Sequence, residues 1–378
     1  MVKKTTIILL LLVSLFGFAF QVKAVTDRQG LSEEYQLNLY RAKVLRIIDT
    51  VRLSGTDDNN IIQIAEIKIL NRDYKGLVTE IRSTLTGNDA YDIKLKEGMR
   101  ISVHAEDTFD GSVSFYIINY ERTNFVLGLL TFFILCILII GGIKGLKALV
   151  SLSITILLII YALIPLLLKG YNPIVISVLI CTLSTVITLL IIAGFNKKSL
   201  SAIIGTIGGL LIGGIIAYIF GQIARLTGFS STDAQMLLYL PGYISFDFRG
   251  LLFAGIIIGA LGACMDVSIS LASSLTEIQM SNPLICTKKL IQSGFNIGKD
   301  IMGTMINTLV LAYTGGTLST MLIFVGFEKT ASEIVNLDSI VTEILRAIAG
   351  SIGLLFSIPI TIFAFIIITK KSLVKKEG

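Results

Sequence analysis

The chain has 378 residues, 53% of them hydrophobic and 15% charged, with 5 prolines and a formal net charge of +6. A soluble domain carries roughly a quarter charged residues, so this balance excludes a soluble globular protein, a disordered chain and a collagen-like or disulfide-built scaffold. One histidine, four cysteines in or beside apolar runs, and no P-loop, dinucleotide fingerprint or His-Glu-x-x-His pattern argue against His-based zinc chemistry, a Ser-His-Asp triad and ATP-driven work by this chain alone. We therefore expect a membrane protein with several spans, no cofactor, no metal and no catalytic residue.

Residues 1–24 read as a secretory signal peptide or an N-terminal anchor. Lys3 and Lys4 precede the apolar run Ile7–Phe20, and Val22-Lys23-Ala24 offers a cleavage site. Residues 25–122 follow as an extracytoplasmic β-rich domain. Met99, Ile101, Val103 and Ala105 alternate with Arg100, Ser102, His104 and Glu106, and Val113, Phe115 and Ile117 repeat the pattern. Further strands are predicted at 40–48, 61–70 and 77–83, with a β-bulge near Ala65. Five short strands point to a small OB-like or SH3-like barrel with His104 on its exposed polar face.

From residue 123 to 378 the pattern is that of an all-α membrane bundle. Seven spans are predicted: 125–143, 148–168, 173–195, 200–220, 250–274, 302–325 and 347–369. Lys144, Lys147, Lys197, Lys198, Lys288, Lys289, Lys299, Lys370, Lys371, Lys375 and Lys376 fall on the side opposite residues 25–124; only Lys169, Arg225, Arg249, Lys329 and Arg346 share that domain's side. The positive-inside rule then makes the C-terminus cytoplasmic and the protein multi-pass in a bacterial cell membrane. These lysines flank apolar segments, so the basic total is a topology signal and not a nucleic-acid footprint.

Gly205, Gly208, Gly209 and Gly213 crowd the fourth span, and Gly255, Gly259 and Gly262 mark the fifth. Gly205/Gly209, Gly209/Gly213 and Gly255/Gly259 fit the GxxxG spacing that lets helix backbones approach closely. Asp266 lies inside the fifth span, where a charge costs roughly 2.5–3.5 kcal/mol on insertion scales, so a bundle interior or an aqueous cavity is expected around it. Asp266, Ser270, Ser273 and Glu277 share one helical face. Asn296, Asp300, Gly303 and Asn307 repeat that spacing on the next helix, so the two polar stripes are expected to face one another. Between them Asn282-Pro283 breaks the helix, and Leu284–Ile297 reads as an interfacial or re-entrant helix.

Two stretches are long and specific. Residues 259–275, Gly-Ala-Leu-Gly-Ala-Cys-Met-Asp-Val-Ser-Ile-Ser-Leu-Ala-Ser-Ser-Leu, and residues 293–313, which include Asn-Ile-Gly-Lys-Asp-Ile-Met-Gly, resemble the YibE/F-like family of bacterial membrane proteins. The resemblance implies a multipass, permease-like protein without an assigned substrate, and it carries no catalytic residues to transfer. We expect a transporter or permease component whose path is lined by Asp266, Ser270, Ser273, Glu277, Asn296, Asp300 and Asn307, and whose partners are the lipid bilayer and a small solute or ion. The alternative is a non-catalytic envelope scaffold or sensor that works through a membrane or envelope protein partner. An intramembrane aspartyl protease fits less well, because Ala-Cys-Met-Asp266 and Ile-Gly-Lys-Asp300 lack the Gly-x-Gly-Asp pattern of such enzymes.

Overall fold

The structure is a computed structural model and describes residues 39–52, 61–107, 113–239 and 246–374. The expected signal segment 1–24 lies outside these residues. Contacts divide the chain into two compact units that meet in sequence between Ile139 and Ile140.

The first unit holds five antiparallel strands, β1 (Leu39–Arg52), β2 (Ile61–Ile69), β3 (Val78–Leu85), β4 (Arg100–Asp107) and β5 (Val113–Tyr120), in the order β3-β2-β1-β4-β5. β3 also approaches β5, which nearly closes the sheet into a barrel. Alternation decides the inside: Tyr40, Ala42, Val44, Ala65, Ile67, Ile69, Ile81, Ile101 and Val103 are buried, and their neighbours along each strand are largely not. Tyr40, Tyr74 and Phe115 close the core as an edge-to-face triad with centroids 5.3–6.2 Å apart. The bulge expected near Ala65 sits instead on the facing strand. The β1–β2 register shifts between Val44 and Arg46 and between Ile47 and Asp49, leaving Leu45 and Ile48 as the extra residues. His104 is half-buried rather than exposed, and its Nδ1 is buried without a partner among the described residues.

A loop between β3 and β4 is held by Asp92. Its carboxylate accepts from the Thr86 N–H at 2.8 Å, the Gly87 N–H at 2.8 Å and the Thr86 hydroxyl at 3.0 Å. The Thr86 N–H is the largest influence holding this carboxyl below the usual carboxylate range. The stabilisation is complete above the ordinary pKa of about 4 and fades as pH falls through the lowered folded value.

The second unit is helical, and its first helix begins before the boundary. α1 (Thr123–Leu158) runs through a π-helical turn at Ile159–Leu163 into α2 (Ile164–Leu168). It is followed by α3 (Pro173–Ala193), α4 (Lys197–Ile223), the short α5 (Thr232–Met236), α6 (Phe248–Ser281), α7 (Thr287–Gly316), α8 (Leu318–Gly326), the short α9 (Ala331–Val335) and α10 (Asp338–Val374). Among the described residues, five helical stretches are long and apolar enough to cross a membrane, or six if the bent pair α7–α8 counts as one span. This differs from the seven expected. Residues 125–143 and 148–168 are one 46-residue helical stretch, Thr123–Leu168, interrupted at Gly142, whose φ of 51° and ψ of −129° are not helical. The predicted span 302–325 is not a straight helix either, because α7 and α8 meet at an angle of 57°. Nor is there a separate interfacial helix at 284–297: α7 starts at Thr287 and continues unbroken, so that stretch supplies the first turns of the next long helix.

The bundle is organised by one close crossing. A Cβ added at Gly209 of α4 would lie 2.6 Å from the Gly353 carbonyl and 2.8 Å from the Ser357 Cβ; one at Gly213 would lie 3.0 Å from the Ala349 carbonyl, and one at Gly205 would overlap the Thr361 hydroxyl. The α4 glycines at steps of four residues therefore meet Gly353, Ser357 and Thr361 of α10, also at steps of four, in antiparallel register. Backbones touch here as in small-xxx-small packing. α6 lies against both helices through Ile257, Leu261, Cys264, Val267 and Leu271, all buried.

Two outcomes follow. Gly209→Ala places a methyl group against backbone and Cβ atoms that cannot swing away, so thermal unfolding of the purified protein should show a loss of about 1–3 kcal/mol. Gly262→Ala, with open space where the methyl would go, should show none. An isolated 25–122 fragment should give a strand-type circular dichroism spectrum and lose stability below about pH 4, and Asp92→Ala should flatten that acid limb.

Candidate functional site

α6 is a membrane-length helix with only one side to offer the core. Ala260, Leu261, Cys264, Val267, Ser268, Leu271 and Leu275 take that side. Helical geometry then turns the remaining stripe outward: Gly255, Gly259, Gly262, Asp266, Ser270 and Glu277 are all exposed on the bundle surface, with Ser273 half-buried. Asp266 is thus not in the bundle interior, as a charge at that depth leads one to expect. On α7, Asn296, Asp300, Gly303 and Asn307 are likewise exposed, while Gly294 and Gly298 press against Ile362 and Ile358 of α10. Among the described residues the GxxxG pair Gly255/Gly259 makes no backbone crossing: nothing lies within 4 Å of a Cβ at Gly255 or Gly262, and Gly259 meets the Tyr313 side chain.

The two stripes run side by side rather than across a closed cavity. A Cβ at Gly294 would meet Leu275 at 3.2 Å, one at Gly259 would meet the Tyr313 hydroxyl at 2.7 Å, and Gly350 of α10 sits against both Leu309 and Ala260. These points set α6 and α7 as an antiparallel pair. Along it Gly262 comes level with Asn307, Asp266 with Gly303, and Ser273 with Asn296. The polar residues therefore form one surface track.

Hydrogen bonding separates the members of that track. Ser273 donates to the Ile269 carbonyl at 2.7 Å, Ser274 to Ser270 at 3.0 Å, Thr304 to Ile301 at 3.0 Å and Thr308 to Thr304 at 3.0 Å. These hydroxyls are satisfied by their own helix and ask nothing of a neighbour. The side chains of Asp266, Asp300, Asn296 and Asn307 have no hydrogen bond or ion pair among the described residues.

Three residues outside the predicted polar stripes, Arg346, Glu343 and Tyr313, stand at one end of the track. Arg346, read as part of an outer loop, is inside α10. Its Nη1 donates to Glu343 Oε1 at 2.7 Å, and its guanidinium stands 5.8 Å from the Tyr313 ring centroid. The Arg346 Nε is buried without an acceptor among the described residues. The available signal was the apolar run beginning before residue 347, which carries Arg346 into the span. A separate set of hydroxyls lines the bundle interior. Ser177, Ser184 and Thr185 of α3, Thr206 of α4, Ser268 of α6 and Ser357 and Thr361 of α10 are all 0–1% exposed. Most of these return to their own helix, as Thr185 does to Cys181 at 2.7 Å and Thr361 to Ser357 at 2.7 Å, and the Thr155 and Ser184 hydroxyls bond each other at 2.7 Å.

Comparison with known families matches residues 38–120 to the YibE/F family N-terminal domain and residues 129–371 to the YibE/F-like protein family. No curated protein and no solved structure gives a match. The first match covers the five strands and the second covers the helical bundle with both polar stripes, so the chain belongs to the YibE/F-like family.

Proposed function

We propose that this multipass membrane protein is a transporter or permease component that carries a small cation or a proton along the α6–α7 track. One observation carries the reading: Asp266 sits on a membrane-length apolar helix, exposed and without a charged partner among the described residues. It follows Arg249 by about 25 Å of helix and precedes Glu277 by about 16 Å. A carboxylate facing lipid tails there is costly, whereas one facing water or a passing cation is not. Asp300, Asn296 and Asn307 extend the set of oxygen ligands along α7. On α6 no Lys or Arg lies between Gly255 and Ser273, while Lys299 of α7 and Arg346 of α10 stand beside the track, so the cation reading rests on the Asp266 and Asp300 carboxylates.

The track is open along one side, and a moving or neighbouring surface has to cover it during transport. The same openness supports the scaffold or sensor alternative, in which a helix of a membrane or envelope protein settles on the stripe permanently. Of the two barrel types expected, the strand order with β3 returning to β5 and a long, doubly bulged β1 supports the OB-like one.

Seven crossings fit the lengths best. A straight Thr123–Leu168 helix would reach about 69 Å, over twice the hydrocarbon thickness. Gly142 is where the chain can turn, and Lys144 and Lys147 follow it at once. In this topology the barrel is extracytoplasmic, in a bacterial cell membrane, and the C-terminus cytoplasmic. A reporter active only in the cytoplasm should work when fused after Lys147 or Gly378 and be silent after Asn124. Activity after Asn124 overturns the orientation, and silence after Lys147 overturns the turn at Gly142.

Asp266→Asn should leave membrane insertion and yield unchanged while lowering cation or proton flux in proteoliposomes at least about tenfold, the scale of a lost charge-assisted contact. Ser270→Ala should cost far less. Full flux in Asp266→Asn would remove the carboxylate from the mechanism, and unaltered flux together with loss of a co-purifying membrane protein would favour the scaffold.

A further inference from the structure

Away from the track, a cleft of about 360 Å³ opens where α4 begins and α6 and α10 approach their ends. Its lining is Asn196, Lys197, Lys198, Thr276, Gln279 and Phe365. Both charged groups are cations, and among the described residues no carboxylate lines it. Neither lysine makes an ion pair among the described residues.

The chain alone is electrostatically unfavourable here. Lys197 and Lys198 are the first two residues of α4, whose first turn holds no acidic residue, so two ammonium groups stack on the positive end of a helix dipole. Asn196 caps the helix by accepting from the Ser199 N–H at 2.9 Å, and the Leu200 N–H reaches the Asn196 carbonyl at 3.1 Å. The Lys197 and Lys198 N–H groups have no acceptor among the described residues. Thr276 spends its hydroxyl proton on the Ala272 carbonyl at 2.7 Å, so the donors left in the cleft are the two ammonium groups, the Gln279 amide and the first N–H groups of α4. A further observation comes from α10. The register set by Gly205–Thr361 and Gly209–Ser357 brings Thr369 level with Lys197, one turn beyond Phe365. Thr369 is 6% exposed, and its hydroxyl is buried beneath the cleft lining, behind Phe365, with no partner among the described residues.

We infer that this cleft binds a phosphate group, held by Lys197 and Lys198 with the first N–H groups of α4 and the Gln279 amide beside them. A basic cleft between membrane helices at the bilayer boundary suits the phosphate of an anionic lipid headgroup or free phosphate equally well. The start of α7 provides an internal comparison. Lys288 and Lys289 also sit in a first helical turn and are exposed, but they line no such cleft.

The test uses the full-length protein in detergent and follows its thermal unfolding against two probes, inorganic phosphate and micelles doped with phosphatidylglycerol, with phosphatidylcholine as the uncharged reference. Wild type should be stabilised by at least one probe and not by phosphatidylcholine. A response to inorganic phosphate identifies free phosphate as sufficient, and a response to phosphatidylglycerol alone identifies the lipid headgroup. K197Q/K198Q should weaken the apparent affinity at least about tenfold, and K288Q/K289Q should leave it within about twofold. Q279E, which keeps both lysines and adds a carboxylate to the cleft, should also weaken it. The inference is overturned if wild type responds to neither probe, if the two lysine-pair variants lose the response equally, or if Q279E binds as wild type does.

Discussion

The contact of the α4 and α10 backbones is the constraint on which the rest of the bundle depends. Glycine at 205, 209 and 213 meets Gly353, Ser357 and Thr361 so closely that no larger side chain fits between. Once those two helices are joined, a third must lie in the groove they form, and α6 does so with its apolar side. Its glycines and its carboxylate have no room on that side. The outward position of Asp266 therefore follows from the packing of the opposite face of α6, where Ser268 meets the Gly205 position and Ile257 the Gly214 position, and not from a local preference.

Magnitudes decide which polar groups in this membrane domain demand an explanation. A serine or threonine in a helix can return its proton to the carbonyl one turn back, which Ser273, Thr276, Thr304, Thr308 and Thr361 all do. Hydrogen bonds between membrane helices average only about 0.6 kcal/mol in any case. An aspartate has no such recourse and costs several times as much against lipid. The hydroxyls that return to their own helix fit a structural role, whereas Ser177 and Ser268 are buried without a partner among the described residues, and Asp266, Asn296 and Asn307 stand exposed with none.

Much of this was legible in the sequence. Alternation gave the strands of the barrel nearly to their ends, because one face of each strand is buried and the period of two cannot be mistaken there. Spacing also placed Asp266, Ser270 and Glu277 on one face of α6, and Asn296, Asp300 and Asn307 on one face of α7. It could not say which face turns inward, since that depends on the Gly209–Gly353 crossing between residues 144 positions apart. Hydropathy windows likewise missed Arg346, whose aliphatic stem and contact with the Tyr313 ring let it sit within α10. They also read through the 57° bend between α7 and α8, where both sides are apolar and only the backbone records the break. In the barrel, the bulges fell on β1, where Leu45 and Ile48 are the extra residues, while β2 keeps its alternation through Ala65, Ile67 and Ile69.

The central claim is that the Gly255–Glu277 face of α6 is a water-accessible polar track and that its opposite face is the packed core. Cysteine scanning along α6 in a cysteine-free background, with a small membrane-impermeant thiol reagent applied to intact membranes, tests it most directly. The account predicts reaction at positions 259, 262, 266 and 270 and none at 260, 264, 267 and 271, a helical period with its maximum on the Asp266 side. Uniform silence along the stripe, or reaction on the Val267 side, would contradict it.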